Sequence, residues 1–113
     1  MINKLSLVRE FGSRPYGRYP QDGELCGENF RKQLLAPRLR KAIGENEVLY
    51  VDLDGYNRYG RSFLDEAFGG LIREENFTAE EVTKNLQYKH SLVKSIEEII
   101  KERIDASISS LDE

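Results

Sequence analysis

Apolar residues recur along this chain with two periods, and the shorter one predicts strands. Residues 2–8 alternate imperfectly between apolar and polar positions, which predicts an opening strand. Residues 48–53 form a nearly continuous β-prone run, typical of a strand buried in the centre of a sheet covered by helices. Residues 86–89 are compatible with a further strand.

The longer period predicts a first helix over residues 28–43, where apolar residues recur three and four positions apart. Gly44 follows this stripe and supplies a stop signal. Pro37 lies inside it, and proline lacks a backbone donor and clashes with the preceding turn. We therefore expect a kink or a break within residues 33–36.

A second helix is predicted over residues 62–72. We expect the Ser62 side chain to cap its start, with Asp65 as the reciprocal partner three residues later. Gly69 and Gly70 lie inside this helix, where each glycine costs about 1 kcal/mol relative to alanine. Some neighbouring group is therefore expected to approach the backbone closely at this point.

Two further helices complete the predicted order. Residues 78–81 repeat the capping pattern before a short helix, and apolar residues between positions 92 and 108 predict a long amphipathic C-terminal helix. The alternation of strands and helices predicts an α/β fold, with a small mixed sheet of about four strands and helices packed against it. Residues 13–27 form a long irregular loop, and such loops are usually functional or mobile.

Length and composition restrict the class of protein. With 113 residues, 39% of them hydrophobic and 33% charged, the chain predicts a single domain over residues 1–113. No apolar run is long enough to span a membrane, and the charged first twenty residues do not fit a signal peptide. A lone cysteine, Cys26, suits a reducing compartment, so we expect a cytoplasmic protein with no membrane partner.

The charge is distributed unevenly along the chain. The net charge is −3, but residues 1–41 hold nine Lys/Arg against four Asp/Glu, whereas residues 42–113 hold eight against sixteen. Either the two segments mix their charges on one surface, or a basic face meets an acidic or phosphorylated partner. Nucleic acid is not expected, because a protein dedicated to binding it is normally basic overall.

One short motif suggests catalysis. Asp52 lies near the end of the predicted central strand and Asp54 directly follows it. Residues 51–55 resemble the first motif of haloacid dehalogenase-like phosphatases, which use two aspartates around magnesium. The later motifs of those enzymes cannot be assembled in this chain. The other interpretation is a strand end at which Asp54 and Gly55 form a turn.

Other candidate groups have equally simple explanations. His90 with Cys26 as nucleophile requires the fold to bring them together; otherwise they are an ordinary histidine and a small buried cysteine. Asp65 and Glu66 are candidates for acid/base chemistry, or for stabilising the positive end of their helix. No phosphate loop or dinucleotide fingerprint is present, and no cofactor or metal is expected.

Arginine and tyrosine are concentrated in two predicted loops. Both residue types are frequent among interface hot spots, and arginine is also a natural ligand for phosphate. The first loop carries Arg14, Tyr16, Arg18 and Tyr19, and the second carries Tyr56, Arg58, Tyr59 and Arg61. Scattered surface residues remain the alternative interpretation.

Four segments together resemble the bacterial STAS-like domain family of unknown function. They are residues 17–23, 27–31, 51–55 and 62–71, and the resemblance extends over about residues 11 to 105. STAS domains such as the anti-anti-sigma factors have a small sheet with helices and act as switch proteins. The resemblance therefore implies a docking surface around residues 54–70, and it suggests a histidine-kinase-type ATPase as a partner class.

This chain departs from the switch pattern at one point. In the related switch proteins a phosphorylatable serine lies near the start of the helix, where this chain has Glu66 and Ala67. Either Glu66 supplies a permanent negative charge, or this branch lacks the phosphorylation cycle. Ser62 is a nearby hydroxyl, but we expect it to be occupied as the helix cap.

These observations favour a non-enzymatic regulatory or adaptor module that docks a protein partner. The alternative is a nucleotide- or phosphate-binding domain that uses Arg14, Arg18 and Arg58 as anion contacts. The predicted binding residues are Arg14, Arg18, Tyr19, Asp54, Tyr56, Arg58, Tyr59, Arg61, Ser62, Asp65 and Glu66.

Overall fold

A computed structural model of the chain describes residues 3–111, which contain a small parallel sheet. Strands β1 (Asn3–Ser6), β2 (Leu49–Asp52) and β3 (Leu86–Lys89) lie in the order β1-β2-β3. The described residues thus form three strands, not about four, and all are parallel rather than mixed. Helical crossovers join them, and such connections return the chain in the same direction.

The first strand is shorter than predicted. Its first predicted residue, Ile2, lies outside the described residues, and the chain leaves the strand after Ser6 to form a helical turn, α1 (Leu7–Glu10). The Glu10 carboxylate accepts a hydrogen bond from the Ser6 backbone N–H at 3.0 Å. This side-chain partner stabilises the turn, and the apolar residues 7 and 8 therefore do not continue the strand.

Strand β2 is buried on one face only, contrary to the expectation of a fully covered strand. Leu49 and Val51 are fully buried, whereas Tyr50 and Asp52 on the other face are half-buried. In the register, Tyr50 lies between Lys4 of β1 and Gln87 of β3, both of which are exposed. The helices cover the face that carries Leu49 and Val51.

Helix α2 spans residues 27–44 and contains the interruption that Pro37 predicts. It consists of the α-helical segment Gly27–Phe30, a π-helical turn Arg31–Leu35 and the α-helical segment Ala36–Gly44. Pro37 lies in the first turn of the last segment, where its missing N–H is tolerated. Gly44 is still helical, and the left-handed residue at this helix end is Asn46, with φ 56°.

Helix α3 spans residues 61–73 and begins one residue earlier than predicted. Gly60 is its N-cap, and no side chain caps it, so the expected role of Ser62 is wrong. Asp65 does not fold back as a capping partner because arginine side chains bind its carboxylate. The helix contains a second π-helical turn, Asp65–Gly69.

The two remaining helices follow the sequence pattern closely. Helix α4 (Ala79–Asn85) starts at the predicted capping box, where Thr78 and Glu81 bond reciprocally. Helix α5 (Lys94–Leu111) buries Ile96, Ile100 and Ile104, which confirms the long amphipathic C-terminal helix. Within residues 3–111, none of the helices has the length and apolarity needed to cross a membrane.

Candidate functional site

A group of buried and partly buried charged side chains lies where α2, α3, α5 and the 13–26 loop meet. We call it the arginine–carboxylate cluster. It consists of Arg18, Arg31, Arg73, Arg103, Asp65 and Glu66.

Glu66 occupies the interior of the cluster and is only 5% exposed. Its carboxylate accepts a hydrogen bond at 2.6 Å from Arg31 Nη1, which also bonds the Glu66 carbonyl oxygen at 2.6 Å. Arg31 is 2% exposed, and Arg18 contributes a further hydrogen bond at 3.4 Å. Glu66 is therefore the counterion of a buried arginine rather than a permanent negative charge on the surface.

Asp65 is shared by three arginines from three different elements. Arg18 Nη1 donates to its Oδ2 at 2.6 Å, Arg73 Nη1 donates to its Oδ1 at 3.1 Å, and Arg103 Nη1 lies 3.7 Å from Oδ1. Burial alone would raise the pKa of Asp65, but the hydrogen bonds from Arg18 and Arg73 outweigh it and lower the pKa. Asp65 is thus a fixed anion that holds elements together, not a proton donor.

Arg18 reaches the cluster because backbone hydrogen bonds order the irregular loop. The Gly27 N–H bonds the Gly17 carbonyl at 2.9 Å, and the Glu28 N–H bonds the Arg18 carbonyl at 3.0 Å. The Arg18 N–H in turn bonds the Asp22 carboxylate at 3.0 Å, beside the short 3₁₀ turn Pro20–Asp22. The loop is therefore attached to the start of α2 and carries Arg18 to α3.

Glycines make room for the guanidinium groups and for the packing of α2 on α3. A Cβ on Gly70 would collide with Arg31 Nη1, and a Cβ on Gly69 would lie 2.6 Å from Arg73 Nη1. The arginine side chains are thus the neighbouring groups whose close approach Gly69 and Gly70 predicted. A Cβ on Gly27 would lie 2.6 Å from the Phe63 carbonyl oxygen, so the two helices are in direct contact there.

A polar pocket of about 330 Å³ opens beside the cluster. Arg18 and Tyr19 border it from the loop, Arg73 from the end of α3, and Arg103 and Ser107 from α5. Ser107 Oγ accepts a hydrogen bond from Arg73 Nη1 at 2.6 Å and donates one to the Arg103 carbonyl at 2.9 Å. The pocket walls are therefore fixed by hydrogen bonds between elements.

The second loop, residues 53–60, is built around Tyr59, which is 6% exposed. Its hydroxyl donates to the Leu53 carbonyl at 2.8 Å, and burial raises its pKa. Tyr56 packs edge-on against it with ring centroids 5.2 Å apart. Tyr59 is thus a core residue, and the prediction that places it on a binding surface is wrong.

Asp54 and His90 fix the carboxyl ends of β2 and β3. The Asp54 carboxylate accepts hydrogen bonds from Ser91 Oγ at 2.6 Å and from the Ser91 N–H at 2.7 Å, and these bonds lower its pKa. His90 is fully buried: its Nδ1 accepts from the Val93 N–H, and its Nε2 donates to the Tyr56 carbonyl. The turn interpretation of Asp54 and the structural interpretation of His90 are confirmed.

Asp52 at the end of β2 has structural partners, as Asp54 does. The Asp52 carboxylate accepts from the Asp54 N–H at 2.9 Å and lies 3.4 Å from Lys4 Nζ. Cys26 is buried at the start of α2 and is not among the hydrogen-bonding partners of His90. Within residues 3–111, no group of three or more His, Cys, Asp or Glu side chains is arranged to hold a metal ion.

Some of the remaining predicted binding residues border the polar pocket, and others do not. Arg18 and Tyr19 border the same pocket as Asp65 and Glu66. The residues Arg14, Arg58, Arg61 and Ser62 are exposed and lie outside that pocket. The trio Arg14, Arg18 and Arg58 is therefore not assembled at this pocket.

Sequence reasoning missed Arg31, Arg73 and Arg103. One signal was available: Arg31 falls at helical spacing with Leu35 and Leu39, on the stripe that packs inside. A long charged residue at such a position requires a buried partner. Arg73 and Arg103 are half-buried on their helices, beside exposed residues. No pattern in the sequence distinguishes them from ordinary surface arginines.

Comparisons with known proteins identify one family. The model of the STAS-like domain of unknown function (DUF4325) matches residues 27–104. That span includes α2, α3, α4 and most of α5, but not the loop that carries Arg18. No curated protein and no solved structure matches the chain significantly.

Proposed function

Since this chain belongs to the family of STAS-like domains of unknown function, we propose that it is a non-enzymatic regulatory or adaptor module that docks a protein partner. The docking surface consists of exposed residues on the 13–26 loop, on the 53–60 loop and at the start of α3. These residues are Arg14, Tyr16, Tyr19, Arg58, Arg61 and Ser62.

The observation that carries this proposal is the exposure of two tyrosines on an ordered loop. Tyr16 is 67% exposed and Tyr19 is 47% exposed. The Tyr16 N–H bonds the Leu25 carbonyl at 2.9 Å, and the Asp22 N–H bonds the Tyr19 carbonyl at 2.8 Å. Rigid, exposed aromatic residues lose little conformational entropy on binding, which is why tyrosine is frequent among hot spots.

Regulation of this module does not use the phosphoacceptor position of the switch proteins. Neither Glu66 nor Ala67 carries a hydroxyl group that could accept a phosphate, and both residues are buried. The Glu66 carboxylate is also neutralised by Arg31 at 2.6 Å and does not present a permanent charge to a partner. Partner binding itself is then the regulatory event, and a histidine-kinase-type ATPase is the partner class suggested by the family resemblance.

A quantitative affinity capture from the native cell tests this proposal. The wild-type chain, a Tyr16→Ala/Tyr19→Ala variant and a Leu92→Ala control are used as baits, and captured proteins are compared by mass spectrometry. Leu92 is 78% exposed and lies outside the docking surface, so it controls for loss of an exposed apolar side chain.

We expect a defined partner to be retained by the Leu92 control and reduced at least about tenfold by the tyrosine variant, since a single hot spot contributes about 2 kcal/mol or more. Equal capture of that partner by all three baits contradicts the surface assigned here. An ATPase among the tyrosine-dependent partners supports the partner class.

A further inference from the structure

The arginine–carboxylate cluster carries more positive than negative charge. Its four guanidinium groups, those of Arg18, Arg31, Arg73 and Arg103, meet the two carboxylates of Asp65 and Glu66. Two further carboxylates are shared with arginines outside the cluster: Glu75 also bonds Arg31 at 3.1 Å, and Glu102 lies 3.4 Å from Arg103. The neighbouring pairs do not change this balance, because Arg40 bonds Glu75 at 2.8 Å and Arg61 bonds Glu102 at 2.8 Å. Glu74 also borders the pocket, but it is exposed and its charge is solvated.

Two of these arginines retain hydrogen-bond donors. Arg103 Nε is buried and has no hydrogen-bond partner among residues 3–111, although the side chain as a whole is 21% exposed. The acidic residues on this turn of α5 do not bond that nitrogen: Glu102 lies 3.4 Å from Arg103 Nη2, and Asp105 bonds Lys101 at 2.8 Å. The side-chain hydrogen bonds of Arg18 all leave from Nη1, so its Nε and Nη2 are available to a ligand.

Both arginines border the 330 Å³ pocket, together with hydroxyl groups. Ser107 and Ser110 line it from α5 and Tyr19 lines it from the loop. An unpaired buried donor is costly, and a ligand that accepts its hydrogen bond removes that cost. The pocket therefore favours a compact anion with several acceptor oxygens.

We propose that this pocket binds a phosphomonoester group through Arg18, Arg73 and Arg103. A phosphomonoester carries a charge of about −1.5 to −2 at pH 7, which matches the excess of two positive charges, and its oxygens accept bonds from several guanidinium groups at once. A carboxylate ligand would neutralise only half of the excess. This site shares only Tyr19 with the proposed docking surface, and its test needs no protein partner.

Inorganic phosphate is the first probe, titrated by calorimetry against the full chain at pH 7 and compared with sodium chloride at matched ionic strength. We expect saturable phosphate binding by the wild type. In an Arg103→Met variant the affinity for phosphate is expected to fall at least tenfold. The matched control is Arg61→Met, which removes an exposed arginine that also contacts Glu102 but lies outside the pocket. The control is expected to bind phosphate as the wild type does.

A second variant keeps the test independent of folding. Ser110→Asp places a negative charge at the pocket rim, on an exposed position near the end of α5. We expect this variant to bind phosphate at least tenfold more weakly and to melt at the same temperature as the wild type. Phosphate binding that is no stronger than chloride, or that survives both Arg103→Met and Ser110→Asp, overturns the proposal.

The source of the phosphate group is distinguished by three esters: adenosine monophosphate, glycerol 3-phosphate and phosphoserine. A site for a nucleotide is expected to bind adenosine monophosphate at least tenfold more tightly than the other two. Equal affinity for all three esters and for inorganic phosphate assigns the pocket to free phosphate.

Discussion

Glu66 is held inside the protein by arginines, and its substitution tests the cluster at the scale of one residue. Replacing Glu66 with Lys removes the counterion of the buried Arg31 and adds a second positive charge. Breaking a buried ion pair costs about 3–5 kcal/mol, so we expect Glu66→Lys to lose at least that free energy of unfolding in urea, or to fail to fold. Glu66→Gln retains one acceptor oxygen and should lose less.

The control for this prediction is Glu98→Lys, at an exposed position of α5. The same change of charge at such a position is expected to alter the free energy of unfolding by only about 0.5 kcal/mol. Similar effects of Glu66→Lys and Glu98→Lys would show that the cluster contributes nothing beyond net charge.

Two hydroxyl residues provide a matched test of helix capping. Thr78 Oγ1 accepts a hydrogen bond from the Glu81 N–H at 3.1 Å, whereas Ser62 is exposed and makes no cap bond at the start of α3. Thr78→Ala should therefore cost about 0.5–2 kcal/mol in a urea melt, and Ser62→Ala only about 0.5 kcal/mol or less. A larger loss from Ser62→Ala than from Thr78→Ala would contradict the helix starts described above.

The same contrast shows what a residue pattern can predict. Thr78 and Glu81 interact three positions apart, so the sequence contains the whole interaction. Arg18 and Asp65 are separated by 47 positions, and their hydrogen bond depends on how the loop folds onto α2. The pairing of the buried charges therefore could not be predicted from the sequence and required the tertiary structure.

At the scale of whole elements, the apolar periodicity predicted all the longer helices, and Pro37 predicted the position of the interruption in α2. Boundaries were less predictable because competing partners decide them: Glu10 ends β1 early, and Gly60 rather than Ser62 precedes α3. The sequence also did not predict that β2 is buried on one face only, since an apolar run does not show whether helices cover one face of the sheet or both.

The contact between α2 and α3 depends on Gly27. A Cβ there would lie 2.6 Å from the Phe63 carbonyl and 3.0 Å from Glu66 Cβ, so Gly27→Ala must push the helices apart. Overpacking of this kind typically costs about 1–3 kcal/mol. The matched control is Gly44→Ala in the same helix, where nothing lies within 4 Å of the added Cβ.

We expect Gly44→Ala to be neutral or to stabilise the protein by up to about 1 kcal/mol, because alanine is the better helix former. Urea denaturation of both variants measures the difference. If Gly27→Ala is as stable as Gly44→Ala, the two helices are not in the contact described here.

At the scale of the whole molecule, the cluster joins parts of the chain that the sheet does not hold together. Asp65 of α3 binds Arg18 from the loop and lies near Arg103 of α5, while Arg31 of α2 binds Glu75 beyond the end of α3. Charge pairing of this kind fixes their positions, so the stability of the molecule should depend on ionised carboxylates.

This dependence predicts a loss of stability in acid. Burial alone would raise the pKa of Glu75, but hydrogen bonds from Arg40 and Arg31 lower it more, and the pKa of Asp65 is lowered in the same way by Arg18 and Arg73. In the unfolded chain these groups titrate near pH 4, at about 3.9 for Asp and 4.3 for Glu. Their stabilising contribution is therefore complete above those values and is lost as the pH falls through the lower folded pKa.

We accordingly expect the free energy of unfolding, measured in urea from pH 7 to pH 3, to decrease below about pH 5. Glu75→Gln removes one of the shifted carboxylates, so this variant should be less stable at pH 7 and show a shallower decrease in acid. Because the unfolded state binds more protons than the folded one in this range, the difference between the two curves reports the protons taken up by Glu75. Parallel curves for the variant and the wild type would mean that Glu75 is not stabilised as an anion by Arg31 and Arg40.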